Sequence, residues 1–167
     1  MNETLKVLFD EHRRIAAVIG LMHKSLMINR AEDKLASMLT DFFKNYADRI
    51  HHGKEEDILF ASAAQKDMSE EHKQIMEELL QEHKKGRELV KKLIDKDKRK
   101  DTMKELISLY SKHIIKEDNH FFDPVMQYFN DEEKKEMKKK MEESDSTAGK
   151  ERYIKETEQM KQMLEKA

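Results

Sequence analysis

One polar code occurs twice in this chain, and it limits the folds open to it. The first copy is His51-His52-Gly53-Lys54-Glu55-Glu56-Asp57-Ile58-Leu59-Phe60. The second, His113-Ile114-Ile115-Lys116-Glu117-Asp118-Asn119-His120-Phe121-Phe122, keeps the His, Lys, Glu, acidic and Phe positions in register. On an α-helix, residues four apart stand one turn above another on the same face. His51 with Glu55, and His113 with Glu117, each present an imidazole beside a carboxylate, which is half of a metal site. Two helices carrying such halves have to face one another.

Composition agrees with helices. Gly (4) and Pro (1) are scarce in 167 residues, charged residues make up 41%, and β-branched residues are sparse, so the reading is all-α. A hydrophobic share of 37% suffices for one core. The 33 basic and 35 acidic residues are mixed along the chain, so neither nucleic acid nor an anionic membrane surface is suggested as a partner. Cysteine is absent, which excludes disulfides, thiolate metal sites and iron–sulfur clusters; any metal must take nitrogen and oxygen ligands. No apolar run approaches ~20 residues and the start Met1-Asn2-Glu3-Thr4-Leu5-Lys6 has no signal-peptide core, so the expected setting is cytoplasmic.

Apolar residues recur at helical spacing in four stretches. Leu5, Leu8, Phe9, Ile15, Ala16, Ile19, Met22 and Leu26 form the first stripe, with His12 in line. After a polar turn at 29–33, Leu35, Leu39, Phe43, Tyr46, Ala47, Ile50, Ile58 and Leu59 form the second, which includes His51 and Glu55. A break at 62–69 precedes the third, with Met76, Leu79, Leu80, Gly86, Val90 and Ile94 expected inward and His83 among them. The charged loop 95–101 leads to Met103, Leu106, Tyr110, His113, Glu117 and Phe121, and Pro124 either kinks this helix or lies near its end. Residues 1–130 are thus expected to form the bundle. Residues 131–167 are expected to add a charged helix, a linker at 144–149 and a last helix from 150 that packs across it.

The histidines outside the repeat strengthen the metal reading. Two helices each supply a His-x-x-x-Glu pair, and the other two supply His12 and His83 from their apolar faces. Buried carboxylates are costly and repel one another unless cations neutralise them, and a pair of divalent ions shared by Glu55 and Glu117 would do so.

These residues resemble the hemerythrin-like, HHE cation-binding family. The likeness runs from Glu11-His12-Arg13 through both repeated motifs, with Glu82-His83-Lys84-Lys85-Gly86-Arg87 between them and Gly149-Lys150-Glu151-Arg152-Tyr153 near the end. It implies an antiparallel four-helix bundle with added C-terminal helices, and a non-heme di-iron centre with an oxo or hydroxo bridge. The implied metal ligands are His12, His51, Glu55, His83, His113 and Glu117. Two departures stand out. The oxygen carrier of that family has a fifth histidine four residues from the one in its third helix, where this chain has Leu79 and Arg87. It also closes its site with His-x-x-x-x-Asp spacing, not His113-x-x-x-Glu117.

Any single histidine has a plainer reading as a hydrogen-bonded core residue, and the agreement of four helices is what favours ligation. His52, ~100° around an α-helix from His51, is expected to face a neighbour or solvent. Glu56 and Asp118 are expected to be solvated or to support the ligands. His23 and His72 lie ~16 Å along their helices from the nearest proposed ligand. His120 is a candidate accessory ligand from the fourth helix. Imidazole and carboxylate suit iron, manganese or zinc alike, and the family likeness selects iron. The expected function is to bind or sense dioxygen or a related oxidant such as nitric oxide or peroxide, with oxidase or peroxidase-type turnover left open. The alternatives are an iron-storage or iron-responsive module and a bundle whose metal only stabilises it.

Overall fold

The computed structural model describes residues 2–166, and among these there is no strand. A short 3₁₀ turn, Glu3–Leu5, is capped by the Asn2 side chain and leads into α1, Lys6–Met27. Asn29, at φ 54, reverses the chain. The second helix, α2, spans residues 33–63 and is mostly not α-helical: Phe42–His52 and Glu55–Phe60 follow the wider π pattern. Helix α3 is Glu70–Lys92, started by Ser69, whose side chain accepts the His72 amide. Helix α4 spans residues 99–126 and contains a π segment at Glu117–Phe121. Pro124 falls two residues before its end, just past the π segment. Helix α5, Asp131–Ser146, opens with an Asn130/Glu133 capping box, and α6, Lys150–Glu165, follows Gly149 at φ 72, a left-handed turn suited to glycine.

The four long helices alternate in direction, and their apolar residues collect in two clusters. One joins Val18 and Met22 of α1, Leu35, Leu39 and Phe43 of α2, Leu89 and Leu93 of α3, and Met103 and Leu106 of α4. The other joins Leu5 and Leu8, Leu59 and Phe60, Leu79, and Phe121, Phe122 and Val125. In every helix the sequence between these two sets holds His12, His51 to Glu55, His83, and His113 to Glu117. A polar layer is therefore sealed from both ends of the bundle. Truncating one of these side chains, such as Leu39, would cost ~2–5 kcal/mol. The C-terminal helices join both clusters: Met137 and Met141 pack with Leu5 and Leu8, and Tyr153, Met160 and Leu164 with Val18 and Leu35.

Ile94 corrects an expectation. It continues the α3 stripe by spacing but lies past the helix end in the loop, 68% exposed, while Leu93 turns inward instead. No helix among the described residues is long and apolar enough to cross a membrane.

Candidate metal centre

The six residues singled out by the repeat and its flanking histidines come together, all buried. His12 Nε2 lies 3.2 Å from Glu117 and 3.8 Å from Glu55. His51 Nε2 is 3.3 Å from Glu55, and His83 Nε2 is 3.2 Å from the other oxygen of that carboxylate. His113 Nε2 is 2.9 Å from Glu117 and 3.2 Å from His83 Nε2. The donor atoms fall into two groups that share Glu55: His12, His51, Glu55 and Glu117, and His52, Glu55, His83 and His113.

His52 belongs to the second group, against the expectation that it faces a neighbour or solvent. It is 3% exposed and stacks on His83 with ring centroids 3.8 Å apart. The cause lies in the backbone. Within the π segment the Gly53 amide donates to the Asp48 carbonyl five residues back, and Ala61 does the same to Glu56. Bonding of i to i+5 widens the turn, so each residue advances by less than the ~100° of an α-helix and His51 and His52 both point inward. His120 is exposed, His23 is exposed, and His72 pairs with the Tyr128 hydroxyl at 2.7 Å, so none of these three joins the layer.

Each inward imidazole has a carboxylate on its other nitrogen. Nδ1 of His12 pairs with Asp118 (2.7 Å), of His51 with Glu11 (2.9 Å), of His52 with Asp48 (3.0 Å), of His83 with Glu56 (2.8 Å) and of His113 with Glu82 (2.8 Å). A carboxylate at Nδ1 holds the proton there, orients the ring and leaves Nε2 with its lone pair facing the centre. Cations sit behind these carboxylates in turn. Arg87 binds Asp48 (2.9 Å) and Glu56 (2.5 Å), Lys116 binds Glu82 (2.6 Å), and Lys54 binds Glu11 (2.7 Å).

The arrangement repeats with the motif. Glu11 precedes His12 and reaches His51, while Glu82 precedes His83 and reaches His113. Glu56 follows Glu55 and reaches His83, while Asp118 follows Glu117 and reaches His12. Lys54 and Lys116 occupy matching places. The repeat breaks at His52, whose counterpart is Ile114, and at Asp48, whose counterpart is Tyr110. The sequence shows the Lys and acidic positions in register but does not by itself mark Glu11, Glu82 and Asp48 as partners of histidine. The Glu-His dipeptides at 11–12 and 82–83 were the available signal.

The donor set fits a metal. His12 Nε2, His51 Nε2 and all four oxygens of Glu55 and Glu117 are buried without a hydrogen-bond partner. Buried polar atoms are rarely left so, because each one costs about 1–3 kcal/mol. The facing Nε2 atoms of His83 and His113 are also unfavourable when both Nδ1 atoms carry protons, since two lone pairs then meet at 3.2 Å. Either protons or cations have to fill the layer. Burial alone would lower the histidines, but Asp118 and Glu117 raise His12 to about 10, Glu55 and Glu56 raise His83 to about 9, and Glu117 and Glu82 raise His113 to about 10. Burial and the neighbouring His83 hold His52 well below its usual value, so it is neutral at pH 7.

Tyr110 closes the layer on the His52 side. Its ring stacks on Phe43 (5.4 Å) and lies 6.2 Å from His52. A surface pocket of 460 Å³ reaches this wall, lined by Phe43, Val90 and Ile94 together with Asp48, Arg87 and Tyr110.

A family model for the hemerythrin HHE cation binding domain matches residues 3–125. No curated protein and no solved structure matches the chain.

Proposed function

Because the chain belongs to the hemerythrin HHE cation-binding family, we propose that it holds two iron ions side by side, and through them binds or senses dioxygen or a related small oxidant such as nitric oxide or peroxide. The observation that carries this reading is the set of six partnerless buried donor atoms of His12, His51, Glu55 and Glu117, in a layer where two donor groups share Glu55. His12, His51, Glu55 and Glu117 would hold one ion. His52, His83 and His113, with Glu55, would hold the other. An iron pair supplies reversible electron transfer and coordination positions open to a small molecule.

The chain's own residues supply the rest. The five Nδ1 carboxylates fix each imidazole in the tautomer that offers Nε2 inward. Glu55 and Glu117 bring negative charge into a layer that the two apolar clusters keep dry, which strengthens every interaction within it. The pocket beside Tyr110, with an apolar wall of Phe43, Val90 and Ile94 and a charged rim of Lys44, Asp48, Arg87 and Lys91, is the approach this reading assigns to the small molecule. Manganese and zinc satisfy the same donors, and the family likeness is what favours iron.

Absorption spectra of the aerobically purified protein test the reading. We expect near-ultraviolet and visible bands that shift when azide is added. A protein containing its full complement of iron whose spectrum ignores azide and nitric oxide would count against an open centre and favour a metal that only stabilises the bundle.

A further inference from the structure

The family match ends at residue 125, yet a charged network links the helices beyond it to the ligand layer. Glu11 is 1% exposed and accepts three groups: Nδ1 of His51, Nζ of Lys54 and Nζ of Lys150, each at 2.7 to 2.9 Å. Lys54, with its side chain wholly buried, also reaches Asp145 of α5 at 2.5 Å, and Lys150 of α6 reaches the other Asp145 oxygen at 3.1 Å. Two ammonium groups and two carboxylates thus close a ring around the α5–α6 turn. Glu11 and Lys54 each adjoin a proposed ligand, His12 and Glu55. Arg49, two residues before His51, donates to the Ala148 carbonyl at 3.2 Å and to the Tyr153 hydroxyl at 3.4 Å. The other half of the repeat has nothing comparable among the described residues: Lys116 meets Glu82 and Glu78, both of the bundle itself, and keeps 26% of its side chain exposed.

We infer that the C-terminal helices are a metal-responsive clamp: Asp145 and Lys150 position His51 through Glu11, so docking of α5 and α6 and filling of the His12/His51 half of the site favour each other. This rests on the proposed reading that the layer binds metal. The physical reason is that a buried ionic network is stable only when complete. Undocking the turn removes Lys150 and Asp145 together. Glu11 is then left facing His51 and a Lys54 that has lost its second carboxylate, and the His51 ring loses its fixed orientation. Outer partners of a ligating histidine commonly change metal affinity 10–100-fold. Coupling of binding equilibria is reciprocal, so metal must hold the turn in place by the same factor.

The test uses the full chain loaded anaerobically with ferrous iron against a competing chelator, together with hydrogen exchange over residues 143–165. Wild type is expected to bind two ions and to slow exchange in that segment on loading. Lys150→Met is expected to weaken one of the two ions about 10–100-fold and to remove the metal-dependent protection. Lys150→Arg should restore both, and far-ultraviolet circular dichroism checks that each variant is folded. Asp145→Asn gives a second route should Lys150→Met not fold. Two ions bound with unchanged affinity in both variants, or wild-type exchange over 143–165 indifferent to metal, would overturn the clamp and leave the dinuclear site standing. Wild type that binds no iron would overturn both.

Discussion

Gly86 and Gly20 make a matched pair whose behaviour follows from what a methyl group would meet. Both lie inside helices with ordinary φ, so alanine should gain up to ~1 kcal/mol from helix propensity at either one. At Gly20, in exposed α1, a Cβ meets nothing within 4 Å, and the full gain is expected. At Gly86 the Cβ would stand 2.6 Å from the Tyr110 hydroxyl oxygen and 3.1 Å from two ring carbons. The Tyr110 ring cannot retreat freely, since it stacks on Phe43 and lies against His52. Overpacking a core typically costs ~1–3 kcal/mol, and subtracting the propensity gain leaves Gly86→Ala destabilised by ~0–2 kcal/mol. At ~2–4 °C per kcal/mol for a domain of this size, the two variants should differ in melting temperature by ~2–12 °C, with Gly20→Ala above wild type. Thermal melts in chelator isolate the packing from metal binding. Adding Tyr110→Leu to Gly86→Ala should recover part of the loss. A Gly86→Ala variant as stable as Gly20→Ala would show that Tyr110 does not fill the space described.

Three other predictions concern the layer itself. In chelated protein His12, His83 and His113 titrate above their unfolded value of 6.5, so their stabilisation is complete below about 6.5 and is lost as pH climbs to 9–10. Melting temperature should fall across that window while apparent metal affinity, which competes with those protons, rises. The depressed value of His52 works the opposite way, subtracting stability below 6.5. His52→Ala should weaken one ion by at least about tenfold, or ~1.4 kcal/mol, whereas His120→Ala, at an exposed position, should change chelator competition by less than about twofold. Arg87→Met removes the cation shared by Asp48 and Glu56, and should weaken metal about tenfold with the ion count unchanged.

Much of the site could be read from the sequence because its parts are local. His51 with Glu55, and His113 with Glu117, are contacts within a single helix, and any helix of roughly the right pitch brings them together. The apolar stripes already put His12 and His83 on inward faces, resemblance to the HHE family implied their roles as ligands, and the family match over 3–125 places the chain there. His52 was misread because α-helical pitch was assumed, and nothing in Phe42–His52 announces i to i+5 bonding. Glu11, Glu82 and Asp48 were missed for a different reason. Their partners lie on other helices, and a charged residue on a helix flank looks solvated until the neighbour that buries it is known. Ile94 shows the converse error, a correct period carried past the end of its helix.

Metal content bears most directly on the central claim. Protein expressed with iron in excess, freed of loose metal and analysed by mass spectrometry of its elements against an independent protein concentration, should contain about two iron ions per chain, as two donor groups sharing Glu55 require. Glu55→Ala should lose both ions together. One ion or fewer in replete wild type, or a Glu55→Ala variant that keeps one ion at full affinity, would contradict a shared dinuclear centre.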